Sequence, residues 1–147
     1  MIRNITEKEF SRAVYSTVEE LILIDTNYFA GDEAGIVTAR FMINVWSRKC
    51  RALTTDGLNA ILTTKCPDGT EYIQIIYVPK CLRHRGFATQ LLNEIKSTNS
   101  KLSLHVHEKN KDSLNFWKKN GFNIITKNQG PQIFMGTQKN IQGHDEW

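Results

Sequence analysis

Residues 78–92 read VPKCLRHRGFATQLL. The stretch opens at the end of an apolar run, passes a proline, and closes in a leucine-rich segment. Pro79 cannot donate to a strand ladder, so it ends the strand EYIQIIYV at 71–78. Ala88, Leu91, Leu92 and Ile95 recur at helical spacing and predict a helix over about residues 86–98. Arg83, His84, Arg85 and the small residue Gly86 lie between. The first turn of a helix has N–H groups without partners and the positive end of the helix dipole, which together attract anions. Gly86 lets an anion come close to the backbone, Ala88 keeps the next contact small, and the basic side chains add charge. A phosphate or pyrophosphate fits such a junction. No Gly-Lys-Ser/Thr follows, so it is not a Walker A loop, and GxGxxG is absent. The plainer alternative is a solvated, basic helix start with a glycine at its turn.

The flanking segments set this junction in a sheet. Ile73, Ile75, Ile76 and Val78 make both faces of the first strand apolar, which marks it as central. KLSLHVH at 101–107 alternates, with Leu102, Leu104 and Val106 on one face and Ser103, His105 and His107 on the other, and reads as a strand. Strand, helix and strand in succession imply two parallel neighbours joined by a right-handed crossover. DSLNFWKKNGF, residues 112–122, has an acid near its start, lysines in its last turn and Gly121 past its end, so it is a short helix. FNIIT and QIFMGT follow as strands across an Asn-Gln-Gly-Pro turn.

Upstream, CRALTTDGLNAILTTKC at 50–66 carries an Asp56-Gly57 hairpin signal, and PDGT at 67–70 is a second turn. Thr6 and Glu9 make a capping box, with Phe10, Ala13, Val14 and Val18 at helical spacing behind it, so residues 7 to about 22 are helical. Asp32 is a candidate cap for a second helix with Ile36, Phe41 and Val45 toward a core. Hairpins on either side of the parallel pair make the sheet mixed. The expected class is α/β (α+β), one domain over residues 1–147.

Composition agrees with a globular chain: 147 residues, 40% hydrophobic and 23% charged. No apolar run is long enough to span a bilayer and MIRNITEKEF has no signal-peptide core, so the expected location is the cytoplasm, with no membrane partner. Cys50, Cys66 and Cys81 lack metal-like spacing and read as reduced thiols; no metal site is expected. The net charge of +4 suits nucleic acid, an acidic protein surface or a phosphorylated cofactor. The basic residues are scattered, without interleaved aromatics or a zinc pattern, so nucleic acid is not indicated.

Arg83-His84-Arg85-Gly86-Phe87-Ala88 resembles the Arg/Gln-x-x-Gly-x-Gly/Ala pattern of the Gcn5-related (GNAT) N-acetyltransferases. Val106, Asn110, Ser113, Phe116-Trp117 and Gly121-Phe122 resemble a later block of the same family, in the right order. The resemblance covers residues 50–137 well and the N-terminal helices loosely. It implies the family's fold, a mixed central sheet with a splayed parallel strand pair flanked by helices, and acetyl-coenzyme A (acetyl-CoA) as donor. Arg83 and residues 84–89 (His84, Arg85, Gly86, Phe87, Ala88, Thr89) would surround its pyrophosphate. Backbone groups of Ile76, Tyr77 and Val78 would bind its pantetheine arm, and Asn110 would face it, unless Asn110 is simply a helix cap. Homodimers are frequent in the family.

The implied reaction is acetyl transfer to a primary amine of unknown class. Such a reaction needs a base for the amine, polarisation of the thioester and a proton for the thiolate. His105, five residues before Asn110, stands where some relatives that act on protein N-termini carry a glutamate base; the alternative is an ordinary strand histidine on a polar face. His107 is the second candidate and Glu71 the third, Glu71 being otherwise a solvated strand end. Many relatives have a tyrosine seven residues after the asparagine as acid, but Trp117 stands there, and an indole N–H is no usable proton source. Tyr77 is the candidate replacement, and Trp117 could be core packing alone. His84 departs from the family's frequent glycine. Two other readings stay open: a CoA-binding module of this fold without turnover, and an acetyltransferase for a nucleic-acid-associated amine.

Overall fold

Thr6 caps the first helix, α1 (Glu7–Ile24), in the computed structural model of the protein, which describes residues 1–25, 35, 39, 40, 50–127 and 131–137. The Thr6 hydroxyl accepts from the Glu9 N–H at 3.2 Å, and the Glu9 carboxylate accepts from the Thr6 N–H at 2.9 Å, the reciprocal pair that the sequence announces. Arg3 donates to both Glu9 oxygens and, with the Thr6 N–H, holds that carboxyl down at about 2. Phe10, Ala13, Val14 and Val18 form the buried stripe of α1. Asp32, Ile36, Phe41 and Val45, expected in a second helix, lie outside the described residues, as do residues 128–130 of the expected final turn; residues 35, 39 and 40 are helical and Ala39 is buried.

The strands are β1 (Arg3–Asn4), β2 (Cys50–Thr54), β3 (Ala60–Lys65), β4 (Glu71–Tyr77), β5 (Leu102–His107), β6 (Asn123–Lys127) and β7 (Gln132–Gly136). Among the described residues, the α-helices after β4 are α2 (Phe87–Lys96), following β4, and α3 (Lys111–Lys119), following β5. Among the described residues one seven-stranded sheet runs β1-β2-β3-β4-β5-β7-β6, so β7 inserts between β5 and β6. All pairs are antiparallel except β4 with β5. The sheet is therefore mixed, and its fold class is the expected one.

Two cores explain why β4 is apolar on both faces. Ile73 belongs to the core that α2 and α3 build with Leu91, Leu92, Ile95 and Trp117, whereas Ile75 belongs to the core under α1. Residues two apart on a regular strand share a face. Here Leu62 pairs with Ile75 and Thr63 with Ile73, so Gln74 is an extra residue in β4. Such a bulge bends its strand and increases the local twist. The bend falls where β4 leaves β5: Glu71 pairs with Leu102 and Tyr72 with Ser103, and the register goes no further. Beyond that point the parallel pair is a fork.

Candidate active site

The fork opens into a cleft of about 710 Å³. Its walls are β4 from Ile73 to Val78, β5 from Leu104 to His107, the start of α2, the start of α3 and the last turns of α1. Among the sequence candidates, Ile76, Tyr77, Val78, Arg83, His84, Gly86, Phe87, Ala88, Thr89, His105 and Asn110 all border it. Contiguity explains why so many meet: a parallel strand–helix unit brings the end of β4, the start of α2 and the end of β5 to one edge.

At the end of β4 the backbone turns sharply. His84 has φ 65° and Gly86 has φ 85°, both left-handed. His84 carries the strain that a glycine would avoid, about 1–2 kcal/mol for an L-residue. Gly86 is the N-cap of α2 and supplies no side chain, whereas Thr6 caps α1 and Asn110 caps α3. A Cβ built on Gly86 meets no described atom within 4 Å, so no described residue fills the space before the helix. Gln90 makes the first α2 bond, to the Gly86 carbonyl at 3.0 Å, which leaves the Phe87, Ala88 and Thr89 N–H groups without intrahelical acceptors. Lys80, Lys109 and Lys111 stand on the rim. This edge is chemically suited to an anion held by backbone N–H groups.

Arg83 departs from the expectation that its charge serves the anion site. It donates to both Glu20 oxygens at 2.6 Å, and its Nε donates to the Val78 carbonyl at 2.8 Å. It braces the loop against α1, and its charge is matched by Glu20. Arg85 is exposed and stands outside the cleft wall. Asn110 is both things weighed from sequence: its Oδ1 accepts from the Ser113 N–H at 3.3 Å as a cap, and it borders the cleft. Trp117 is 4% exposed and packs edge-on between Phe116 and Phe122, each 5.0 Å away. It is core packing that also forms part of the cleft floor.

The base candidates separate cleanly. Glu71 lies outside the cleft, on the zipped side of the fork and under the end of α2. Its side chain is 1% exposed, and Arg51 donates to both of its oxygens, at 2.6 and 2.8 Å. Thr63 donates to it as well. Burial pushes this carboxyl up, but the Arg51 and Thr63 hydrogen bonds outweigh burial and hold it below the usual carboxylate range. The solvated strand end expected from sequence is thus a buried ion pair, with its lone pairs committed outside the cleft.

His107 is also committed. Its side chain is fully buried, the Lys109 N–H donates to Nδ1 at 3.1 Å, and Nε2 lies 3.1 Å from Asp25 Oδ2. With Nδ1 accepting, the proton of the neutral ring is on Nε2 and points to Asp25. The face expected to be polar is covered at two of its positions: Ser103 and His107 are buried on it. His105 borders the cleft, half-buried, with Nδ1 2.7 Å from Tyr72 Oη and its ring 4.9 Å from Phe134. Tyr72, Asp25 and Glu20 were not singled out in the sequence. Their partners lie 33, 82 and 63 residues away, and no local pattern announces such pairs.

No protein-family model matches the chain, and no curated protein matches it. Solved structures do. The PaiA N-acetyltransferase of Thermoplasma acidophilum, in complex with coenzyme A, superposes with TM-score 0.71 at 17% identity, covering 94% of this chain and 98% of that one. A GNAT-family acetyltransferase of Staphylococcus aureus gives 0.68 at 10% identity, covering 94% and 99%. Arabidopsis thaliana NAA60, in complex with a bisubstrate analogue, gives 0.57 at 16%, covering 92% and 93%. The chain has the GNAT fold. Among the described residues, no helix is long and apolar enough to cross a membrane.

Proposed function

We propose that this protein is a member of the GNAT family that transfers an acetyl group from acetyl-CoA to a primary amine by direct attack. The open fork supports this most: β4 and β5 pair at two positions, part, and lead to a helix start with no side-chain cap. The N–H groups of Phe87, Ala88 and Thr89 would hold the diphosphate. The unpaired edge of β4 from Ile76 to Val78 would hold the pantetheine arm, through groups other than the Val78 carbonyl that Arg83 Nε engages. Asn110, its Oδ1 used as a cap, has its amide left to donate. When bound, acetyl-CoA supplies an activated thioester acyl group.

The chain's own part is to position the amine and manage protons. The walls of the fork hold the reactants side by side, which in well-oriented systems removes about 7–11 kcal/mol of barrier. His105 takes the proton of the acceptor ammonium. Tyr77, which borders the cleft from β4 and packs on the core under α1, would hold the proton for the leaving sulfur that Trp117 cannot supply.

The test is release of free thiol from acetyl-CoA over a panel of primary amines: a polyamine, a lysine peptide, a peptide with a free N-terminus and an aminoacyl ester. Release that depends on one amine class is expected and names the acceptor. Trp117, buried where many relatives carry tyrosine, supports a second reading, a CoA-binding protein without turnover. CoA binding with no release by any amine would establish that reading instead. His105→Ala is expected to lower kcat about a hundredfold, the usual size of a lost general base, with acetyl-CoA affinity unchanged. Full kcat in this variant removes His105 from the mechanism.

A further inference from the structure

β4 and β5 pair only at Glu71–Leu102 and Tyr72–Ser103, so beyond Ser103 no ladder between them sets their separation. Each tine of the fork is instead fastened to the last turns of α1. Glu20 accepts through both oxygens, at 2.6 Å, from Arg83, whose Nε donates to the Val78 carbonyl just past β4. Asp25, the C-cap of α1, accepts at 3.1 Å from Nε2–H of His107, the last residue of β5. The direction of this second bond is fixed, because the Lys109 N–H donates to Nδ1 and leaves the proton of the neutral ring on Nε2. The two ties differ in what supports them. The core under α1 holds Ile75, with Tyr77 packed against it, so apolar packing also fastens α1 to β4. Among the described residues, no side chain of β5 belongs to that core. The tie to β5 is polar and sheltered: the His107 side chain is fully buried and that of Asp25 is 19% exposed. A hydrogen bond shielded from water is expensive to leave unmade, so it constrains the geometry around it.

We propose that α1 is a crossbar that sets the width of the fork, and that Asp25 and His107 are positioning residues that hold the β5 tine at its distance from β4. The effect on rate rests on the acetyl-transfer reading. In that reading acetyl-CoA lies along β4 and His105 stands on β5, so the width is the separation of donor and base. Asp25 is not among the described residues that border the cleft. Replacing it therefore changes the width of the fork while every described group that lines the cleft stays the same.

Two spin labels read the width without turnover, with Cys50 replaced by serine. One is on Cys81, exposed in the turn after β4, and the other on Glu108→Cys, exposed just past β5. The parent is expected to give one narrow distribution of label distances and Asp25→Ala a broader or shifted one. Asp25→Asn, whose amide oxygen still accepts from Nε2–H, is expected to keep the parental distribution. With an amine that supports thiol release, Asp25→Ala is expected to lower kcat by about tenfold to a hundredfold, the scale of a misplacement of about 1 Å between reacting groups. Coenzyme A affinity should be unchanged, and Asp25→Asn should restore kcat. A parental distance distribution in Asp25→Ala overturns the proposal. So does an Asp25→Asn variant as impaired as Asp25→Ala, which would assign the effect to the charge of Asp25. Should Asp25→Ala fail to fold, Asp25→Ser, whose hydroxyl is too short to reach Nε2, takes its place. Failure of every amine to release thiol would overturn the acetyl-transfer reading alone, and the label distances would still decide the crossbar.

Discussion

Gly86→Asp is expected to reduce coenzyme A affinity by about a thousandfold, while Gly86→Asn reduces it far less. Gly86 is left-handed, with φ 85° and ψ 5°, and a Cβ there meets no described atom within 4 Å. Both variants therefore carry the same backbone strain, about 1–2 kcal/mol, and Asn and Asp are among the residues that tolerate this region best. They differ only in charge. A carboxylate about 4 Å from a diphosphate charge is repelled by about 4 kcal/mol at the effective dielectric of a protein surface. That is close to three orders of magnitude in Kd. Calorimetric titration with coenzyme A itself gives the answer without any acceptor. The gap between the variants should narrow as salt is added, because the interaction is screened. Equal affinity in the Asp and Asn variants would mean that the diphosphate does not sit at this helix start.

The helix start was legible in the sequence because all of its parts are contiguous: Pro79 ends a strand, Gly86 makes the turn, and Leu91-Leu92 anchor the helix. The capping box at Thr6 and the hairpin at Asp56-Gly57 were legible for the same reason. What was hidden depends on residues far apart in the chain. The insertion of β7 between β5 and β6 requires β5 to pair with a strand that begins 25 residues after it ends, and neither strand carries a mark of that choice. The bulge at Gln74 is hidden too, since EYIQIIYV reads as one unbroken strand apolar on both faces. Yet that extra residue puts Ile73 and Ile75 on opposite faces at the point where the fork begins. Charged residues were the least legible. Arg83, Glu71 and His107 each looked available for chemistry, and each is held by a partner on another element.

Arg51→Ala is expected to be the most destabilising change at the zipped end of the fork, by about 3 kcal/mol at neutral pH. Arg51, on β2, donates to both Glu71 oxygens, to the Thr98 hydroxyl and to the Ile95 carbonyl, so it ties β2 and β4 to the end of α2. Breaking a buried pair from one side costs about 3–5 kcal/mol because the other charge stays buried. Arg51 is 30% exposed, so water relieves part of this and the lower figure applies. In a domain of this size that lowers Tm by roughly 10 °C. The pH dependence fixes the cause. Glu71 is held below the usual carboxylate range, so its contribution is present above its unfolded pKa and is lost as pH falls through the folded one. In the variant that contribution is already missing, so the two stability curves should converge as pH falls through the folded pKa of Glu71, below the usual carboxylate range. Arg51→Ala/Glu71→Gln, with no charge to strand, should regain much of the loss. A double variant as unstable as Arg51→Ala would show that lost packing, not a stranded carboxylate, is responsible. Because Glu71 lies outside the cleft, the folded double variant should also keep the kcat of the parent. A large fall in kcat there would return Glu71 to the list of bases and displace His105.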